Sequence, residues 1–255
     1  MNPENIDRLN EIIQLINNCR HVIVFSGAGI STPSGIPDFR SQNTGLWTKN
    51  DPMEVASLTT FLTNPFAFFD WFHPLAKSIF DAKPNIAHYT LAKLEESSKI
   101  KAVITQNIDM LHQRAGSKKV IEVHGSIEYF SCLRCSFKTN YKSAIIQAFL
   151  QDSIIPKCPH CHSYLKPGVI LFEELLPELA WEQAYTQCSM TDLVLTIGSS
   201  LEVYPANLLP ELAISNHAKL IINTLSKTPL DSEAEIIINI DVIEAWDYLQ
   251  SHLLV

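Results

Sequence analysis

The feature that most constrains the fold is a short apolar strand that runs directly into a glycine-rich turn. Val22-Ile-Val-Phe25 is continuously apolar and is followed by Ser26-Gly-Ala-Gly29. Continuous apolar strands are typical of parallel sheets that helices cover on both faces. Gly27 and Gly29 let the backbone approach a pyrophosphate, whose charge is favoured by the N–H groups and positive dipole of a following helix. The segment therefore predicts a nucleotide pocket at the end of the first strand.

This turn departs from the fingerprint of ordinary dinucleotide-binding dehydrogenases. Thr32 stands where that fingerprint has its third glycine, and Pro33 and Pro37 interrupt the helix that should follow. No acidic residue follows at a second strand about 20 positions on, where it would bind a ribose. A plain dehydrogenase is therefore disfavoured.

Helical and strand patterns alternate along most of the chain. The predicted helices cover residues 6–18, 85–97, 110–115, 181–188, 206–215 and 242–252, and the predicted strands cover 21–25, 101–105, 120–123, 193–197, 219–222 and 236–239. This alternation predicts an α/β fold with a doubly wound, Rossmann-like parallel sheet.

Two cysteine pairs predict a structural zinc site. Cys132 and Cys135 form one C-x-x-C turn, Cys158 and Cys161 form another, and 22 residues separate the pairs. Two such turns facing each other complete a tetrahedral zinc site with no open position for water, so the metal would be structural. The alternative, a redox dithiol, needs only one C-x-x-C. A zinc deaminase is disfavoured, because neither its H-x-E nor its P-C-x-x-C motif is present.

Two segments interrupt the alternation and define the expected domains. The aromatic- and proline-rich residues 43–81 predict short helices around a hydrophobic groove, inserted where the first crossover helix would stand. We expect a Rossmann-like nucleotide-binding domain made of residues 1–40, 83–130 and 166–255, a helical insertion at 41–82 and a zinc-binding module at 131–165.

Composition limits the partners and the location. The 255 residues carry a formal net charge of −8, which argues against direct nucleic-acid binding and suits a basic partner such as a lysine-rich protein tail. No apolar stretch approaches the roughly 20 residues that span a bilayer, and no secretory signal pattern is present. We therefore expect an intracellular, cytoplasmic protein without a membrane partner. The oligomeric state is not predicted.

Polar residues follow two of the predicted strands. Gln106-Asn-Ile-Asp109 lies beyond one strand, and His124-Gly125 lies beyond the next. Ligands of open α/β sheets bind outside the carboxyl ends of the strands. A histidine followed by glycine at that edge is therefore a candidate for proton transfer rather than for a purely structural role.

At this point the chain strongly resembles the sirtuins, the NAD-dependent protein deacylases. The resemblance spans nearly the whole chain in order and rests on the run Gly27 to Arg40, Thr105-Gln-Asn-Ile-Asp109, Leu111-His-Gln-Arg-Ala-Gly116, His124-Gly125, the two C-x-x-C pairs, Gly198-Ser-Ser200 and the strand ending at Asn223. It implies that NAD is a consumed substrate: the acyl oxygen of an acylated lysine attacks the ribose carbon bearing nicotinamide, and nicotinamide leaves.

The resemblance also implies roles for individual residues. His124 would take a proton from a ribose hydroxyl. The expected NAD contacts are Ala28 and Thr32 at the turn, Arg40 on phosphate or ribose, Phe39 shielding the sugar, Gln106 and Asn107 on ribose hydroxyls and water, Ile108 and Asp109 on the nicotinamide amide, Ser199 and Ser200 on phosphate and ribose, and Asn223 and Asp241 on adenosine. Asn107 joins His124 in the catalytic set. Asp241 is equally well explained as a helix N-cap.

The resemblance further implies a groove in which the substrate peptide lies as an added strand. Ile170 and Phe172 would form one side and Val203 the other. Glu173 stands where the family usually has glycine, so peptide affinity there is open. Desuccinylating members of the family carry Tyr-x-x-Arg near the tunnel that the acyl-lysine side chain enters. An ungapped count back from Pro84-Asn85 places Phe72 and Leu75 at these two positions. Without a cation there, burial of an acyl carboxylate would be costly. Acetyl or a longer apolar acyl group is therefore expected.

Other functions remain as alternatives. A mono-ADP-ribosyltransferase shares the first half of the reaction and differs in what captures the ribose. A non-catalytic NAD-responsive binding module, using the zinc site to contact a partner, is disfavoured because a binder does not need Asn107, Asp109 and His124 together.

Overall fold

Six parallel strands form the larger sheet of the computed structural model, which describes residues 1–38, 45–48 and 51–253. The strands are β1 (Val22–Ser26), β2 (Ile100–Thr105), β3 (Val120–Glu122), β7 (Leu193–Ile197), β8 (Lys219–Asn223) and β9 (Ile236–Ile238). Their order in the sheet is β3-β2-β1-β7-β8-β9. This is the doubly wound order, and it reverses between β1 and β7. The predicted Rossmann-like class is confirmed.

Helices cover both faces of this sheet. Helices α1 (Pro3–Asn18), α5 (Ile86–Glu96) and α10 (Val242–Leu253) pack on one face, and α8 (Glu178–Met190) and α9 (Leu208–Ser215) pack on the other. Alternate residues of β1 divide between them, because Val22 and Val24 belong to the first core cluster and Ile23 and Phe25 to the second. Burial on both faces explains why the strand is apolar throughout.

A second, smaller sheet and a group of helices form the rest of the described structure. Its antiparallel order is β5-β4-β6, with β4 at Gly125–Cys132, β5 at Lys138–Asn140 and β6 at Leu165–Val169. The helices are α2 (Pro52–Val55), α3 (Leu58–Thr63), α4 (Pro65–Asp81), α6 (Leu111–Ala115) and α7 (Ala144–Asp152). Phe68, Phe72 and Phe149 stack in the core that α4 and α7 share with the small sheet.

The structure corrects two expectations about the inserted segments. The insertion contains one helix of 17 residues, α4, in which Pro74 is internal, whereas only short helices were predicted. Residues 144–152 form α7, whereas no helix was predicted within the module at 131–165. The division into domains stays a prediction; β4 and β6 run across its boundaries at residues 131 and 166.

Within the described ranges, no helix has both the length and the apolar character needed to cross a bilayer.

Candidate active site

The loops after β1 and β7 pack directly against each other where the strand order reverses. Gly27 N donates to Ile197 O at 3.0 Å, and Gly29 N donates to Gly198 O at 2.8 Å. A Cβ on Gly29 would lie 2.7 Å from Gly198 Cα, and one on Gly27 would lie 2.8 Å from Gly198 O. Gly27 and Gly29 are therefore required because the loops after β1 and β7 touch here. This reason adds to the one given by the sequence, the close approach of a phosphate.

The turn after β1 differs from the expected helix start. Two 3₁₀ turns, Ala28–Ile30 and Thr32–Ser34, replace an α-helix, and Gly35 ends them with a φ of +91°. Pro33 lacks the N–H that a longer helix would use. A long helix dipole is consequently absent from this turn. Among the described residues, the backbone N–H groups of Ala28 and Thr32 have no acceptor, so they are available to an anion.

Three polar side chains form a buried network beneath this turn. Ser31 Oγ donates to Asp109 Oδ2 at 2.6 Å, and Asn107 Nδ2 donates to Ser31 Oγ and to Gly27 O, each at 3.1 Å. Because both Nδ2 hydrogens are used, Asn107 presents only its Oδ1 acceptor to a ligand. Burial raises the pKa of Asp109, against the hydrogen bond from Ser31.

Gln106 connects His124, the candidate base, to Ser199 across the crevice at the carboxyl ends of the parallel strands. His124 Nδ1 lies 3.1 Å from Gln106 O, and Gln106 Nε2 donates to Ser199 Oγ at 2.8 Å. A carbonyl oxygen can only accept, so Nδ1 carries the proton of the neutral ring and Nε2 is the nitrogen that can take another. The structure thus brings together the ends of β1, β2, β3 and β7.

A second polar layer behind the network was missed by sequence reasoning. Ser26 Oγ donates to Thr105 Oγ1 at 2.8 Å and lies 2.9 Å from His112 Nε2, while Thr105 Oγ1 accepts from Asn107 N at 3.0 Å. Burial lowers the pKa of His112 to about 4 and that of its ring neighbour His88 to about 2, so both remain neutral. The hydroxyl residues that end β1 and β2 were the available signal.

The expected adenosine contacts lie at the end of β8 and before α10. Asn223 Nδ2 donates to Ile238 O at 3.1 Å and Ile240 O at 3.2 Å, while its buried Oδ1 has no partner among the described residues. Asp241 is exposed, and its Oδ1 accepts from Ile243 N at 2.7 Å, as in the N-cap alternative. Ser200 is half-buried beside Ser199.

The segment after β6 is held by the helical insertion and by a buried ion pair. Phe172 N donates to Ala56 O at 3.1 Å, and Leu58 N donates to Phe172 O at 3.0 Å. Lys166 Nζ lies 2.7 Å from Glu174 Oε2, which also accepts from Leu171 N.

The other substrate-side predictions fall in three places. Ile170 N donates to His124 O at 2.9 Å, which joins this segment to the candidate base. Val203 is half-buried, and its C=O accepts from Asn207 N. Ile108 is half-buried, and its C=O accepts from Ile127 N. Phe39 and Arg40 lie outside the described residues.

The four cysteines fit a tetrahedral metal site. Their Sγ atoms all lie within 4.8 Å of one another, with Cys132–Cys161 at 3.4 Å, Cys135–Cys158 at 3.5 Å and Cys135–Cys161 at 3.9 Å. Zinc–sulfur distances of about 2.3 Å place tetrahedral sulfurs about 3.8 Å apart. None of the four forms a disulfide. The predicted ligand set is therefore consistent with a closed structural zinc site.

The fold and the site together define a dinucleotide-binding α/β protein with a second, antiparallel sheet beside a cluster of four cysteines. The Sir2 family model matches residues 27–205. An NAD-dependent protein deacetylase of Thermotoga maritima is 44% identical over 237 residues, 93% of this chain and 95% of the relative. An NAD-dependent protein deacylase of Archaeoglobus fulgidus is 45% identical over 226 residues, 88% of each chain.

Solved structures agree with these relatives. A Sir2 structure with a p53 peptide and NAD+ superposes with a TM-score of 0.86 at 40% identity, covering 95% of this chain and 97% of that one. Another solved Sir2 enzyme gives a TM-score of 0.90 at 40% identity, covering 97% and 98%. The chain belongs to the Sir2 family, and the resemblance to the sirtuins is confirmed.

Proposed function

We propose that this protein is an NAD-dependent protein-lysine deacetylase that releases nicotinamide, O-acetyl-ADP-ribose and free lysine. The observation that carries the proposal is the hydrogen bond from His124 Nδ1 to Gln106 O, beside the buried Asn107–Ser31–Asp109 network. This hydrogen bond orients His124 as a base at the edge of the sheet where ligands bind. The family membership and the relatives' activities support the same function.

The residues around the crevice fit NAD. Among the described residues, the N–H groups of Ala28 and Thr32 and the Oδ1 of Asn223 have no hydrogen-bond partner. The N–H groups suit a pyrophosphate, and the Oδ1 suits a ribose hydroxyl or an amino group of adenosine. Ser199 and Ser200 would complete the adenosine side, with Asp241, Phe39 and Arg40 as further proposed contacts. When bound, NAD would supply the ribose carbon that receives the acyl oxygen as nicotinamide is released.

The chain's own groups then have distinct tasks. His124 Nε2 would accept the proton of a ribose hydroxyl, because Nδ1 is already committed to Gln106. Asn107 Oδ1 would accept a hydrogen bond from a hydroxyl or a water molecule, since its Nδ2 is used by the protein. Asp109 and Ile108 would hold the nicotinamide amide, and Gln106 a ribose hydroxyl.

The substrate would be an acetylated lysine in a protein or peptide chain. Ile170, Phe172 and Val203 would line its entry, with Phe172 exposed by 39%. Phe72 and Leu75 are buried in the apolar core of the insertion, so neither position offers a cation to an acyl carboxylate. This supports acetyl or an apolar acyl group over succinyl.

The zinc would be structural, since Cys132, Cys135, Cys158 and Cys161 leave no ligand position open. We also propose a cytoplasmic location, which the four unpaired thiols support, because reducing compartments keep such thiols available for metal.

The test is mass spectrometry of an acetyl-lysine peptide incubated with the purified, zinc-loaded protein, with and without NAD. We expect deacetylated peptide, nicotinamide and O-acetyl-ADP-ribose in equal amounts, only with NAD. ADP-ribose attached covalently to protein would instead indicate a mono-ADP-ribosyltransferase, and absence of nicotinamide release would refute the proposal.

His124→Ala should lower turnover by about 10²-fold or more, the scale of a lost general base. Zinc content and folding should persist. His252→Ala, which removes an exposed histidine from α10, is the matched control and should leave turnover unchanged. Unchanged turnover in His124→Ala would remove this histidine from the mechanism.

A further inference from the structure

Two adjacent glutamates beside the expected peptide groove have different surroundings. Glu174 is paired with the buried Lys166 at 2.7 Å. Glu173 is exposed and forms no ion pair with any described residue. Its Oε2 accepts from Thr59 N at 2.8 Å, at the start of α3. A neutral backbone donor orients the carboxylate without cancelling its charge.

Glu173 occupies a backbone position that favours glycine. Its φ is +74°, in the left-handed region. A glutamate there is strained, so its backbone conformation does not explain why a glutamate occupies this position. The bond to Thr59 fixes where that side chain lies.

The segment that is expected to form the other side of the groove carries a second carboxylate, that of Glu202. Glu202 is exposed, and it too forms no ion pair within the described ranges. The backbone N–H and C=O groups of Glu202, Tyr204 and Glu173 have no partner among the described residues. A peptide that adds as a strand needs such unpaired backbone edges on both sides. Both carboxylates therefore stand at positions that a bound peptide backbone would pair with.

We propose that Glu173 and Glu202 make this groove select acyl-lysines that have Lys or Arg within two residues on either side. The inference rests on the proposed deacetylase function and names its substrate class. In an extended peptide, successive residues rise by about 3.3 Å, so the nearest neighbours of the acyl-lysine lie within reach of a glutamate side chain. Cationic neighbours would meet an unpaired carboxylate on each side of the groove.

The experiment measures steady-state kinetics on matched acetyl-lysine peptides whose four flanking residues are Arg, Gln or Glu. With saturating NAD, we expect the Arg peptide to have a KM about 3- to 10-fold below that of the Gln peptide, the scale of two exposed ion pairs. The Glu peptide should have the highest KM, and kcat should vary little. The differences should shrink as salt is raised, because exposed charges are screened.

Variants test whether these two residues are responsible. Glu173→Gln keeps an oxygen that can accept from Thr59 N and removes only the charge. The double variant Glu173→Gln with Glu202→Gln should lose most of the KM difference between the Arg and Gln peptides. Glu11→Gln, an exposed charge removed from α1, is the control and should keep the full difference.

The outcomes separate this inference from the function on which it rests. Equal KM values for Arg and Gln peptides in the unmodified protein would overturn the inference while leaving deacetylation in place. A difference that persists undiminished in the double variant would also overturn it. Failure to deacetylate any peptide would overturn the proposed function, and the inference with it.

Discussion

Replacing Glu122 by glutamine is expected to change how stability depends on pH between about 4.5 and about 7. Burial raises the pKa of Glu122 from an ordinary value of 4.5 to about 7, against hydrogen bonds to Ser126 and Gln113 that lower it, and the nearby Glu128 and Asp109 add to the rise. One of its carboxyl oxygens is buried without a hydrogen-bond partner. The folded protein therefore holds a proton at Glu122 at pH values where the unfolded chain has already released it.

The sign and size of the effect follow from this difference. Stability that Glu122 contributes is fully present below pH 4.5 and is lost as pH rises through about 7, since the folded state binds the extra proton. Each pKa unit corresponds to about 1.4 kcal/mol, so the rise of the pKa from 4.5 to about 7 predicts a change of about 3 kcal/mol across this window. Glutamine has nearly the same shape but does not ionise, so this contribution should vanish.

The assay is urea denaturation of the unmodified protein and Glu122→Gln at pH 5, 6, 7 and 8. Buried His88 and His112 have lowered pKa values, so they destabilise the folded state as pH falls, in the opposite direction to Glu122. They are present in both proteins, and the difference between the two curves isolates Glu122. Glu96→Gln, which removes an exposed carboxylate from the end of α5, is the control. Parallel curves for the unmodified protein and Glu122→Gln would refute the reasoning.

Two further predictions concern the metal and the loop contact. Chelation, or Cys158→Ser, should abolish stoichiometric zinc in metal analysis, lower Tm and remove activity together with structure, because binding of a structural zinc contributes to folding; full activity without metal would contradict a structural role. Gly198→Ala should destabilise the protein by about 1–3 kcal/mol in urea denaturation, since its Cβ would lie 2.7 Å from Gly29 Cα. Gly35→Ala is the matched control: it also has a positive φ, but an added Cβ meets nothing within 4 Å. Equal losses in the two variants would show that backbone strain, and not the loop contact, sets the cost.

The large sheet was predictable because its signals are local. Strands β1 and β7 are apolar on both faces, and the other four strands are mostly apolar, so the six predicted strands match the observed ones to within a residue. The small sheet was not predicted. Strand β4 contains Ile127, Tyr129 and Phe130, which favour a strand, but its partners β5 and β6 lie on either side of the second cysteine pair and α7. Pairing with β6, which begins 33 residues after β4 ends, leaves no local periodic signal. The nearby partner β5 has only three residues, Lys138–Asn140, and none of them is apolar.

The position of the candidate site in the fold was predictable from the sequence, but the hydrogen-bond partners of its residues were not. Parallel strands place their carboxyl ends on one edge, so the clustering of Gln106, Asn107 and His124 followed from topology. The hydrogen-bond roles did not follow, because they depend on which neighbour uses each donor. Both Nδ2 hydrogens of Asn107 are used by Gly27 and Ser31, which lie far from it in the chain. Asp241 accepts from Ile243 N because of the local geometry of one helix start.

His124 stands on the short connection between the two sheets, and this explains how a structural zinc can control activity. β3 ends at Glu122 in the large sheet, and β4 begins at Gly125 in the small one. The Nδ1 of His124 bonds Gln106 O beyond β2, while its own C=O accepts from Ile170 N beyond β6. Strand β4 ends at Cys132, one of the proposed zinc ligands, and Cys132 pairs with Leu165 of β6. Loss of the metal would therefore release the strands that fix His124. This would happen although none of the four cysteines lies at the ends of β1, β2, β3 and β7, where the site is built.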